Sequence, residues 1–259
     1  MTKKQIFILS SILASVALIV LVFSLINQSR KQYDAVEVKE DSITEAIYGL
    51  GTVKSNQVFS FKVGVPKTLE KVHVQEGEKV SKGNLLITFN DNMKVTSPIE
   101  GTVLSLPYHA GENVFTEKPM VVIENLEDLY IEARLDQQGS LRVKPGLKVR
   151  LSFESFRQKV FTGTLKSLYP NAGEFVARIE VEKLPPQILP GMTSDVAIEV
   201  AEKEKAILIP VRAVNSGHVL RERSGKREKI PVQIGISNDE WAELTQGDIS
   251  LGDKVLIKR

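Results

Sequence analysis

Lys94 is the side chain whose neighbours first suggest covalent chemistry, because Met93-Lys94-Val95 differs by one residue from Met-Lys-Met, the triplet in which a lysine amine is acylated by biotin. The spacing around it is wrong for that role. The turn-forming run Asn90-Asp91-Asn92 falls before Lys94, and three residues separate Lys94 from Pro98. Lys94 therefore reads as an ordinary strand lysine. The three histidines, His73, His109 and His218, stand far apart and match no metal-ligand spacing. Gly49-Leu50-Gly51 begins a G-x-G, but Lys54 occupies the third glycine's place and no helical pattern follows. The four methionines, Met1, Met93, Met120 and Met192, form no cluster, and the chain has no cysteine. That composition excludes disulfides, thiolate metal sites, a cysteine nucleophile and a lipid anchor on cysteine. Walker A, G-x-S-x-G and H-E-x-x-H motifs are missing as well. No enzyme, no cofactor and no metal centre are expected.

What surrounds Lys94 is more informative than Lys94 itself. Leu69, Val72, Val74, Gly77, Glu78, Val80 and Leu86 recur in kind as Val103, Leu106, Tyr108, Gly111, Glu112, Val114 and Met120, at an offset of 34 (111 minus 77). In each copy alternating apolar residues lead into Gly-Glu-x-Val and then into another apolar strand. Glycine there supplies the φ > 0 conformation a tight turn needs. Two strand-turn-strand halves of this size predict a small pseudo-symmetric sandwich.

The chain has 259 residues, 42% of them hydrophobic and 25% charged, a globular composition long enough for one or two ordinary domains. Its net charge of +2, from 34 basic and 32 acidic residues, gives no electrostatic case for nucleic acid. From Ile6 to Ile26 no charged residue occurs, and 21 helical residues rise roughly 30 Å, the thickness of a bilayer core. A cleaved signal peptide would be shorter and end in a small-x-small site, which Ser24-Leu25-Ile26 is not. Residues 6–26 therefore read as a retained transmembrane anchor. Lys3 and Lys4 balance Arg30 and Lys31, so flanking charge leaves orientation open. The long chain that follows the short head makes the segment a signal anchor that exports the bulk.

Beyond a polar linker, nearly every segment alternates with period two and is closed by Gly, Pro, Asn or Asp. Val149, Leu151 and Phe153 alternate with polar residues, as do Phe175, Ala177, Ile179 and Val181, and Val196, Ile198 and Val200. Such sets form the wall of a barrel or sandwich. The expected soluble helix is short, near Asp136 to Val143 and ahead of Pro145-Gly146. Between Leu220 and Ile230 lies a charged run with a Ser224-Gly225-Lys226 tip, which reads as a solvated β-hairpin. The alternative reading makes Arg221, Arg223 and Arg227 a docking surface for an acidic partner.

Taken in order, the anchor, the doubled motif, the barrel pattern and the terminal β segment resemble the membrane fusion proteins, the periplasmic adaptor subunits of tripartite efflux pumps and secretion systems. The resemblance covers roughly residues 36–259 and rests on Val74 to Leu86, Ser97 to Val103, Gly111 to Val114, Leu189-Pro190-Gly191-Met192, Ile209-Pro210-Val211 and Leu251-Gly252-Asp253. Among these Gly77, Gly83, Pro98, Gly101, Gly111, Pro190, Gly191, Met192, Pro210 and Gly252 are scaffold residues at turns and strand starts.

The resemblance implies a mainly β protein of interleaved modules: a cytoplasmic tail at 1–5, the anchor at 6–26, a linker at 27–35, a lipoyl-like domain at 57–124, a β-barrel from 42–56 and 125–202, and a membrane-proximal domain from 36–41 and 203–259. It further implies an inner-membrane transporter as partner, a hexameric ring and a periplasmic location. Adaptors with a membrane helix are often paired with ABC transporters, whereas those of proton-driven RND pumps are often lipid-anchored through a cysteine that this chain lacks. In most adaptors a long α-helical hairpin separates the lipoyl halves and reaches toward an outer-membrane channel. Here Asn90-Asp91-Asn92 joins them directly, so a β-hairpin and no α-hairpin are expected, with Asn90, Asp91 and Asn92 as candidate partner contacts. The rival readings are a biotinyl or lipoyl carrier subunit and a periplasmic scaffold of a complex that exports nothing.

Overall fold

The computed structural model describes residues 33–115, 118–156 and 159–258. The segment read as a transmembrane anchor, 6–26, lies outside the described residues, among which no helix is long and apolar enough to cross a membrane. Almost all the regular secondary structure among the described residues is strand. The described residues divide into two compact units, residues 46–200 and residues 33–45 with 201–258. The strand Lys39–Ser55 and the strand Thr193–Pro210 each belong partly to both.

The larger unit holds the doubled motif. One sheet runs Val58–Phe61, Val121–Glu124, Gly101–Ser105, Lys79–Val80; the other runs Lys94–Thr96, Leu85–Phe89, Lys67–Val72, Asn113–Val114. Adding or subtracting 34 turns the first order into the second, strand for strand. Leu69 and Val103, Val80 and Val114, Leu86 and Met120, and Phe89 and Ile123 are all buried in one shared core. Each half alone presents an apolar face to water, and the two faces cover one another.

The rest of this unit is a closed barrel. Lys148–Ser152, Val160–Asn171, Glu174–Val181 and Leu129–Leu135 pair in turn, followed by part of Lys39–Ser55 and part of Thr193–Pro210, which returns to Lys148–Ser152 through Val149↔Ile198 and Leu151↔Val196. Closure leaves no edge strand. The alternation legible in the sequence fills the interior: Val149, Leu151, Ala177, Ile179, Val196 and Ile198 are buried together with Val53 and Ile131.

The helix is shorter than expected, Gln137–Ser140 instead of Asp136 to Val143. Asp136 caps it, its Oδ1 accepting from Gly139 N–H at 2.6 Å. After Ser140 the bonds tighten to i→i+3, with Arg142 N–H on the Gly139 carbonyl and Val143 N–H on the Ser140 carbonyl, and the α-helix ends.

The smaller unit contains the sheet Tyr33–Glu37, Lys254–Lys258, His218–Arg223, Lys226–Pro231. The first of these strands begins at Tyr33, inside the stretch expected to be linker. In the same unit the C-terminal part of Thr193–Pro210 pairs with Trp241–Gln246 through Leu208↔Glu243 and Ile209↔Ala242. Val38, Ile209, Val219, Ala242 and Val255 form its core.

Candidate functional site

The turn between the two motif halves is a β-hairpin of the three-residue type. Asn92 N–H donates to the Phe89 carbonyl at 3.0 Å and Phe89 N–H to the Met93 carbonyl at 2.9 Å, while Asn92 sits at φ 64°. That is a type I turn followed by a left-handed residue, a conformation asparagine tolerates. Asp91 Oδ1 accepts from Met93 N–H at 3.1 Å, and its other oxygen pairs with Lys67, which holds its carboxyl below the usual range. Asn90 N–H donates to the Thr68 carbonyl at 3.2 Å, tying the tip to the neighbouring strand.

Lys94 lies beyond that turn, exposed and paired with Thr88 in the strand register. The histidines have separate local partners: His73 Nε2 is 2.9 Å from Thr88 Oγ1, His109 Nδ1 is 3.2 Å from Glu112 Oε1, and His218 Nδ1 donates to the Ser216 carbonyl at 2.9 Å. Among the described residues no group of three or more His, Asp or Glu could hold a metal ion.

The scaffold residues occupy turns and close approaches. Gly77 and Gly111 have φ of 84° and 90°, and Gly77 N–H meets the Val103 carbonyl as Gly111 N–H meets the Leu69 carbonyl, each at 2.8 Å. Gly101 is needed for a different reason: a Cβ there would stand 2.6 Å from the Glu124 carbonyl oxygen. Gly83 N–H donates to the Ser97 carbonyl beside Pro98. Gly191 N–H, after Pro190, donates to the Val53 carbonyl, and Met192 packs against the barrel core. Pro210 precedes the short turn Val211–Ala213, and Gly252 lies in the turn before Asp253.

The three arginines are differently placed from a free basic surface. Arg221 is 5% exposed; its Nη1 donates to the Asp248 carbonyl and Oδ2 at 2.6 and 2.8 Å, and its Nη2 to Glu228 at 2.5 Å. Arg223 grips Asp253 through two bonds of 2.7 Å and holds that carboxyl down at about 2. Arg227 pairs with Glu222 at 2.8 Å and lies over the Tyr33 ring. Sequence reading missed Asp248 and Asp253 because both lie 25 residues or more from the arginines they neutralise.

The geometry is thus that of a two-fold sandwich joined to a closed barrel and a further β unit. Residues 66–124 match the barrel-sandwich hybrid domain of the YknX family. Macrolide export protein MacA of Yersinia pestis is 26% identical over 184 residues, covering 65% of this chain and 49% of that protein. The chain is a homologue of MacA and YknX. YknX of Bacillus subtilis is 28% identical over 185 residues, covering 64% of this chain and 48% of its own length. The chain therefore spans about half the length of those two relatives. Its fold is that of the MacA crystal structure from Actinobacillus actinomycetemcomitans, which aligns with 88% of this chain and 100% of that one at a TM-score of 0.73 and 19% identity.

Proposed function

We propose that the chain is a non-enzymatic adaptor, held at an inner membrane by residues 6–26, whose periplasmic bulk caps and couples a transporter for efflux or secretion. The observation that carries this reading is the two-fold sandwich within the matched segment 66–124, continued into a closed barrel. Sandwich domains of adjacent copies would line a conduit, with six copies the number the family implies. An ABC transporter is favoured over an RND pump, because the chain has an apolar segment and no cysteine to carry a lipid. The macrolide export named for one relative supports efflux of a small molecule over protein secretion. A three-residue turn stands between the sandwich halves, so any outer-membrane channel would be met at the rim around Asn90 to Asn92 and not by helix tips.

The carrier reading is disfavoured by Lys94, which lies in the strand after the turn. Affinity purification of the full chain from its native membranes tests the adaptor reading. An ABC transporter in the eluate supports it, an RND pump changes the energy source, and recovery without any transporter moves the reading to a scaffold.

A further inference from the structure

Three cations of the smaller unit surround a cleft. Arg212, from the turn Val211–Ala213, faces Lys229 and Lys258, from two strands of the sheet, across a volume of about 260 Å³. No carboxylate lines it. Each of the three is exposed, and none forms an ion pair among the described residues. This contrasts with Arg221, Arg223 and Arg227 in the same unit, each matched to a carboxylate. The floor is apolar, with Leu256 3% exposed beside the half-buried Leu220. A cationic rim over an apolar floor fits a ligand that has an anionic group next to carbon.

The place of the cleft in the chain selects the ligand. Tyr33, the first described residue, forms part of its wall and pairs with Lys258 in the register. Seven backbone steps separate Ile26, the last apolar residue of the membrane segment, from Tyr33, a reach of roughly 25 Å at full extension. Arg30 and Lys31 lie within that tether. A tyrosine and a cluster of lysines and arginines close in sequence to the proposed anchor match the chemistry of a membrane interface.

We infer that this cleft binds the phosphate of an anionic phospholipid headgroup, fixing the smaller unit against the membrane surface. Each cation near an anionic surface contributes about fivefold to partition, so the three together contribute roughly a hundredfold. The inference rests on the reading of residues 6–26 as an anchor, and its test separates the two.

The full chain is reconstituted into lipid nanodiscs of phosphatidylcholine, with or without phosphatidylglycerol, and amide exchange is followed for 211–220 and 254–258. Co-elution with the discs reads the anchor. Slower exchange of those amides in phosphatidylglycerol discs, lost in Arg212→Gln/Lys229→Gln/Lys258→Gln but kept in Lys205→Gln/Lys226→Gln/Lys254→Gln, is the expected result. Equal exchange in the two kinds of disc, with co-elution intact, overturns the lipid site and leaves the anchor standing. Protection by inorganic phosphate in phosphatidylcholine discs that equals protection by phosphatidylglycerol overturns the lipid as ligand in favour of a free anion. Failure to co-elute overturns the anchor and the inference with it.

Discussion

Gly77 donates its N–H to the Val103 carbonyl at 2.8 Å, and shifting each residue by 34 in opposite directions gives the bond from Gly111 to Leu69, also 2.8 Å. The next bonds obey the same operation: Val103 N–H to the Glu78 carbonyl and Leu69 N–H to the Glu112 carbonyl, both 2.9 Å. The sandwich is therefore symmetric in its hydrogen bonds as well as in its sequence, and each half satisfies the turn of the other.

That reciprocity predicts matched penalties. Gly77→Ala and Gly111→Ala meet no atom within 4 Å, so each costs only the left-handed backbone strain, about 1 to 2 kcal/mol. Gly101→Ala drives a Cβ into the Glu124 backbone and costs roughly 3 kcal/mol or more. Calorimetric unfolding checks the order; equal losses at all three positions would show that space plays no part.

At the hairpin tip Asn92 holds φ 64°, a conformation glycine adopts freely and β-branched residues resist. Asn92→Gly leaves stability unchanged or raises it slightly, whereas Asn92→Val lowers it by about 1 to 2 kcal/mol. Amide exchange of the strands Leu85–Phe89 and Lys94–Thr96 reports the difference.

Charge reversal in the 221–229 hairpin reads out folding before it reads out partner binding. Arg221→Ala removes a side chain 5% exposed and costs about 2 kcal/mol, and Arg221→Glu costs more because Asp248 and Glu228 then face a third carboxylate. Arg227→Ala, from a pair whose side chains are each 27% exposed, costs less than about 1 kcal/mol. The chain has one tryptophan, Trp241, which lies in this unit, so its fluorescence during urea unfolding measures these losses.

The fold was largely legible because its cause is local. Apolar alternation at 149, 151, 196 and 198 dictated which faces meet in the barrel, and the 34-residue offset dictated the sandwich. The short turn Asn90-Asp91-Asn92 was legible from its own side chains. The charge pattern was not. Arg223 and Asp253 are 30 residues apart, and only the pairing of His218–Arg223 with Lys254–Lys258 brings their strands together. The cleft formed by Arg212, Lys229 and Lys258 depends likewise on three elements meeting. The eight-residue helix expectation failed because sequence gives the cap at Asp136 but not the tightening after Ser140.

Asp253 makes the smaller unit sensitive to acid. Its carboxyl is held at about 2 by Arg223 against an ordinary 3.8, so its contribution to stability is present above about pH 4 and lost as pH falls toward 2. Asp248, lowered by Arg221, loses its contribution in the same direction. Asp253→Asn is less stable at neutral pH and has a flatter stability profile between pH 4 and 2; an unchanged slope there would remove Asp253 as its source.

The proposed adaptor role requires this sandwich, closed by a three-residue turn, to take its place in a ring on a transporter. Native mass spectrometry of the full chain, solubilised gently from its own membranes, measures that directly. The expected species is a complex holding several copies, six by family resemblance, together with an inner-membrane transporter. A species containing one copy and no transporter under the same conditions would contradict it.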